Sequence, residues 1–212
     1  MEITGAIFDF DGTLFDSMPI WHGVRFKFLE SLGVTLNDEE KKEFDGLNLV
    51  ESLVFSKDRF GIAGDLDELF KLFFDYIKER YLAQAYPKND IVEFLGKLKE
   101  KGVKIGIATA TAEYALQSVL EKFGMLDYFE VIRSTHTVGA PKTQPKVYDV
   151  VLEKLGTDKS TTWVFEDALY AAKTAKANGY KLVGIFDESE KNADELKEIS
   201  DIYIHLYSEI EL

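Results

Sequence analysis

Two pairs of carboxylates stand where apolar runs end. The first lies in Asp9-Phe-Asp-Gly-Thr13, directly after the run Ile3 to Phe8. In an extended chain residues two apart face one side, so Asp9 and Asp11 share a site, and Gly12 lets the chain turn sharply past the strand end. The second pair, Glu166-Asp167, closes the run Thr162 to Phe165. Adjacent acids at the end of a buried strand are costly unless a positive charge lies among them. A hard divalent cation supplies it. Magnesium accepts carboxylates and keeps positions open for water and phosphate oxygens, so Asp9 and Asp167 converging on one ion is sound chemistry. Plainer readings stand beside these: Asp and Gly are common in surface turns, and Asp167 also suits the cap of a helix over 168–178.

Two further residues could meet an anion. Thr109 ends the run Val103–Ala108 just before a helix beginning near Ala112, where a hydroxyl and free backbone N–H groups, including that of Ala110, form a ready anion site. Thr111 equally suits the cap of that helix. Lys142 sits in Gly139-Ala-Pro-Lys-Thr-Gln-Pro145, a loop stiffened by two prolines; its case rests on the company of the acids, because a lone loop lysine is usually solvated. Other chemistries lack their residues. The calcium-loop pattern fails because Leu14 stands where its glycine belongs and Ile20 where its last acid belongs. His22, His136 and His205 show no metal spacing, and no P-loop or dinucleotide fingerprint occurs.

These residues need a scaffold, and the pattern supplies one. From residue 88 onward, helical segments over 91–101, 112–123, 146–155 and 168–178 stop at Gly102, Gly124, Gly156 and Gly179. Between them lie Val103–Thr109, Phe129–Ser134, Thr162–Glu166 and Leu182–Phe186, short and apolar without strict alternation, as strands buried on both faces are. With Ile3–Phe8 and Ile202–Leu206 they predict an α/β fold, a Rossmann-like parallel sheet with helices on both faces. Residues 16–86 break the rhythm. No strand candidate interrupts them, and Leu66, Leu69, Phe70, Phe73, Ile77 and Tyr81 recur at helical spacing, which predicts a small all-helical domain inserted after the first strand. The aromatics Phe55, Phe60, Phe70, Phe73 and Phe74 read as the core of that insert rather than a cofactor box. The expected domains are therefore a core over 1–15 and 87–212 and a cap over 16–86, the latter hanging over the C-terminal end of the first strand, where open α/β sheets bind ligands.

Composition narrows the partners. The 212 residues carry a formal net charge of −13, which disfavours nucleic acid and anionic membrane surfaces as partners. With 46% apolar residues the chain can bury a real core. There is no cysteine, so thiolate nucleophiles and thiolate metal sites are excluded. The N-terminus lacks a basic region and meets Asp9 before a signal stretch could form; a cytoplasmic location and a monomer are the expectations.

Taken in order, strand–Asp9-Phe-Asp-Gly-Thr13, strand–Thr109, loop Lys142 and strand–Glu166-Asp167 resemble the four motifs of the haloacid dehalogenase superfamily, and the helical insert is similar to the cap of its β-phosphoglucomutase-like branch. The resemblance runs the length of the chain and implies a magnesium-dependent phosphatase acting on a small phosphorylated metabolite such as a sugar phosphate. It implies that Asp9 is the nucleophile that becomes an aspartyl phosphate and that Asp11 is the acid and base. Thr109, Ala110 and Lys142 would hold the phosphoryl oxygens. Asp9, Glu166, Asp167 and the backbone carbonyl of Asp11 would bind Mg²⁺. The alternatives are a hexose phosphate mutase and a non-catalytic binding protein on the same fold. Lys142-Thr-Gln-Pro145 departs from the usual lysine-proline-x-proline, and Trp21, with His22 next to it, stands where the mutases carry a cap histidine. The stretch Asp45-Gly-Leu-Asn-Leu-Val-Glu-Ser-Leu53 lacks the arginine those mutases use on a second phosphate, leaving Arg25 and Arg59 as substitutes to be tested.

Overall fold

The computed structural model describes residues 2–212. The chain begins with strand β1 (Gly5–Phe8), passes through a two-residue strand β2 (Phe15–Asp16), and enters five helices: α1 (Met18–Trp21), α2 (Val24–Ser31), α3 (Asp38–Asp45), α4 (Leu49–Phe60) and α5 (Leu66–Gln84). It then returns through β3 (Tyr86–Pro87) to α6 (Ile91–Glu100), β4 (Lys104–Thr109), α7 (Glu113–Lys122), β5 (Val131–Ser134), α8 (Thr135–Val138) and α9 (Lys146–Leu155). The last part is β6 (Thr162–Glu166), α10 (Leu169–Ala177), β7 (Lys181–Ile185), α11 (Ala193–Ile199) and β8 (Ile202–Ile204).

Six strands form one parallel sheet in the order β5-β4-β1-β6-β7-β8. Their middle residues are mostly apolar on both sides because helices cover both faces, and the polar ones lie mainly at the strand ends. The strand period of two divides them: Ala6, Phe8, Trp163, Phe165 and Val183 join the cluster containing α6 and α7, whereas Ile7, Val164 and Leu182 join that of α9, α10 and α11. On the first face Phe8 stacks on Phe165 with ring centroids 4.2 Å apart. The expected helix stops hold, since Gly102, Gly124, Gly156 and Gly179 all take positive φ.

The chain leaves β1 toward β4 and β5 on one side and crosses back to β6, β7 and β8 on the other. The first strand is therefore the point where winding reverses, and its C-terminal end opens between β4 and β6. One expectation needs correcting here. The insert was expected to run without strands, but β2 pairs antiparallel with β3, Phe15 opposite Pro87 and Asp16 opposite Tyr86, and staples the two ends of the insert together. Two-residue strands are too short for any periodicity to reveal.

Within the insert, α3, α4 and α5 each start with a reciprocal cap from Asn37, Asn48 and Asp65, whose partners three residues on are Glu40, Glu51 and Glu68. The four-residue spacing of Leu69, Phe73, Ile77 and Tyr81 points that stripe of α5 inward. Its apolar cluster is continuous with that of the sheet through Phe10, Phe15 and Ala85. The insert is seated on α7 and α8: the Tyr114 hydroxyl donates to the Lys71 carbonyl at 3.1 Å, and Phe70 stacks on His136 at 5.1 Å.

Candidate active site

Asp9 follows β1 directly, and its backbone N–H donates to the Phe165 carbonyl at 3.0 Å, which holds it beside the end of β6. Its carboxylate is nearly buried, as are Asp167 and Glu166. One oxygen from each of these three acids lies within 4.8 Å of the others. Lys142, 3% exposed, reaches into the cluster, with Nζ 2.7 Å from Asp9 Oδ1 and 2.8 Å from Glu166 Oε2. The loop lysine that is usually solvated is here a buried cation, because two acids receive it.

The charges do not balance. Three carboxylates face one ammonium, so full ionisation leaves two negative charges in an interior that penalises even one. Burial first, then Glu166, pushes the Asp9 carboxyl up to about 7 despite the opposing pull of Lys142. Burial, with Glu166 and Asp9, likewise holds the Asp167 proton well above the usual carboxylate range. Burial works against the Lys142 ammonium, but Asp9 and Glu166 overcome it and keep that group charged. Among the described residues Glu166 Oε1 has no hydrogen-bond partner, although Oε2 also receives the Tyr148 hydroxyl at 3.3 Å. A fully buried, unpartnered carboxylate oxygen beside two other acids is what a divalent oxygen-binding cation would satisfy, so the donor set fits magnesium in charge and type. Gly12, at φ +78°, brings the backbone so close to the Asp167 carboxylate that any Cβ there would collide with it.

Asp11 lies apart from this cluster. Its Oδ1 accepts hydroxyl hydrogen bonds from Ser17 at 2.6 Å and Tyr81 at 2.5 Å, and its Oδ2 accepts one from Thr111 at 2.7 Å. Burial, then the charge of Asp9, raises its pKa, and the three donors oppose that rise. The strand ends at Phe8 and the chain turns at Phe10, so Asp11 is near enough to feel the charge of Asp9 but has its own set of partners. Thr109 is fully buried and its hydroxyl accepts the Thr111 N–H at 3.0 Å, while Ala110 is exposed at the site's edge.

Two cap readings are overturned. Asp167 does not cap α10; the cap position is Ala168, and Asp167 instead accepts the Thr13 hydroxyl at 2.7 Å. Thr111 does not cap α7, whose cap is Ala112, because its hydroxyl is turned to Asp11. Thr13, Ser17, Tyr148 and, above all, Tyr81 also bond to these carboxylates, although in sequence Tyr81 reads as one more apolar residue of a helical stripe. Arg25 and Arg59 bring nothing to the centre. Arg25 donates to the carbonyls of Phe44 and Leu47, and Arg59 pairs with Glu40 at 3.2 Å, all within the insert. A cavity of about 800 Å³ opens between the first helix of the insert and the ends of β7 and β8, lined by Asp16, Trp21, His22, Lys88 and His205 among others, and none of Asp9, Asp11, Glu166 or Asp167 lines it. Among the described residues no helix is long and apolar enough to cross a membrane.

Comparison with known proteins gives a consistent result. The family model of haloacid dehalogenase-like hydrolases matches residues 6–185. The chain is 28% identical over 187 residues to hexitol phosphatase B of Escherichia coli strain K12, covering 83% of this chain and 80% of that protein. It is 28% identical over 179 residues to the phosphorylated carbohydrates phosphatase of Thermotoga maritima, covering 84% and 82%. A solved structure provisionally named as a beta-phosphoglucomutase, also from Thermotoga maritima, superposes with a TM-score of 0.72 at 24% identity over 98% of this chain and 96% of its own.

Proposed function

The chain belongs to the haloacid dehalogenase-like hydrolase family, and from that premise we propose that it is a magnesium-dependent phosphatase of small phosphorylated carbohydrates. The observation that carries this reading is the buried set Asp9, Glu166, Asp167 and Lys142, with an acidic excess of two charges and an orphaned Glu166 oxygen. The names of the relatives support the substrate class.

In this reading Lys142 occupies Asp9 Oδ1, which leaves Oδ2 to attack phosphorus. The bond from phosphorus to the ester oxygen breaks as the bond to Asp9 forms, and Asp11 gives its proton to the departing oxygen. Water then attacks the aspartyl phosphate; Asp11 takes its proton, the Asp9–phosphorus bond breaks, and inorganic phosphate leaves. Thr109, whose oxygen already accepts the Thr111 N–H, has its own proton to offer a phosphoryl oxygen, with the Ala110 backbone and Lys142 beside it. Asp9, Glu166 and Asp167, with the Asp11 carbonyl, would hold the Mg²⁺. Bound there, the cation would offset the repulsion between the acids and a phosphate anion. Residues 16–86 act as the cap over 1–15 and 87–212, excluding bulk water and contacting the sugar.

The mutase alternative needs a cation for a second phosphate, and Arg25 and Arg59 are both engaged inside the insert. The test is phosphate release from a panel of hexitol phosphates, sugar phosphates and other phosphorylated metabolites, with magnesium and with a chelator. Release that requires magnesium and favours phosphorylated carbohydrates is expected. Isomerisation of a hexose phosphate with no net phosphate release would replace this reading by the mutase one.

A further inference from the structure

The proposed proton carrier is gripped by both ends of the helical insert. Tyr81, fully buried in the last turns of α5, donates to Asp11 Oδ1 from 70 residues away in sequence. Its oxygen in turn accepts the indole N–H of Trp21 at 3.0 Å, and Trp21 is the last residue of α1. A line of donors thus runs from the entry helix of the insert, through its exit helix, to the carboxylate. The ring of Tyr81 packs on Phe10, with centroids 5.5 Å apart. A buried hydroxyl is costly unless it is bonded, and this one is bonded to the site.

The distribution of donors has a directional consequence. A carboxylate oxygen has two in-plane lone pairs. Ser17 and Tyr81 together occupy both on Oδ1, and Thr111 occupies one on Oδ2. The remaining lone pair is on Oδ2, so that oxygen is the one able to carry a proton.

We propose that Tyr81, backed by Trp21, is a positioning residue that fixes the rotamer of Asp11, presents Oδ2 to the leaving oxygen, and makes proton delivery conditional on the insert being seated. This rests on the phosphatase reading given above. Proton delivery matters for an alkyl phosphate, whose alkoxide is a poor leaving group, and matters little for p-nitrophenyl phosphate, whose phenolate leaves without help. The kcat/KM value reports only the steps up to departure of that group, so it isolates the acid role of Asp11 from its later role as base.

The experiment measures kcat/KM of wild type, Tyr81→Phe and Trp21→Phe on a hexitol phosphate and on p-nitrophenyl phosphate at saturating magnesium. Tyr81→Phe is expected to lose about 10- to 100-fold on the alkyl ester, part of the full worth of a general acid, and less than about threefold on the aryl ester. Trp21→Phe, which keeps the phenol but removes the donor behind it, is expected to show a smaller loss with the same bias. Equal losses on both esters in a folded variant would overturn the inference. If Tyr81→Phe does not fold, Trp21→Phe decides alone by the same criterion. A wild type that releases phosphate from neither ester, nor from any member of the panel above, would instead defeat the phosphatase reading.

Discussion

At the scale of single residues the site is a buried cluster of like charges that one lysine only partly offsets, and this gives the metal-free protein an unusual pH response. The Asp9 carboxyl is raised from 3.8 to about 7, first by burial and then by Glu166, and Asp167 moves in the same direction. A raised carboxyl means that the folded state binds more protons than the unfolded chain between those two values. Stability from this group is therefore complete below the lower value and is lost as pH rises through the higher one. Melting temperatures in a chelator should fall between the two ends of that interval, and added magnesium should restore most at the upper end. A fall no larger in wild type than in Asp9→Asn, which cannot titrate at that position, would contradict the charge assignment. Gly12 supplies a second expectation. Its φ of +78° and the Asp167 carboxylate against it mean that Gly12→Ala pays twice, about 1–2 kcal/mol for the backbone conformation and more for displacing Asp167. Denaturant unfolding and a magnesium titration should both register it; normal magnesium affinity would show that Asp167 is not a ligand.

At the scale of elements, the strands and their acids were legible in sequence because each strand is an apolar run that ends in the residues it delivers. Asp9, Thr109 and Glu166-Asp167 were found that way, and Lys142 by its prolines and its place in the resemblance. Ser17, Tyr81 and Thr111 were not. They reach Asp11 from 6, 70 and 100 residues away, and nothing local marks a tyrosine in an amphipathic stripe as polar in purpose. The pairing of β2 with β3 escaped for the same reason, since it joins two residues to two others across the whole insert. That insert is held against the sheet domain by a continuous apolar cluster, and at its edge Phe70 stacks on His136. Phe70→Ala should loosen the seat and raise KM several-fold, while the melting temperature drops little because Phe70 is only half-buried. Steady-state kinetics beside a thermal melt would check this, and an unchanged KM would show that the stack does not govern access.

At the scale of the whole molecule, a net charge of −13 acts on both ligands at once. It draws the cation and repels the phosphate, and salt weakens both effects as the Debye length shrinks from about 30 Å at ~0.01 M to about 8 Å at ~0.15 M. Apparent magnesium affinity should therefore fall with ionic strength, measurable as a rightward shift of activation curves in added potassium chloride. The architecture explains why the centre tolerates such a field. Winding reverses at β1, so its end opens between those of β4 and β6, and there Thr13 donates to Asp167 while Lys142 pairs with Glu166 and Asp9. Asp9 is the proposed nucleophile of that centre. The most direct measurement is magnesium-dependent phosphate release by Asp9→Asn beside the wild type, on the substrate the panel selects, with circular dichroism to verify the fold. A folded variant with no turnover above the uncatalysed rate is expected; near-normal release by that variant would contradict covalent transfer through Asp9.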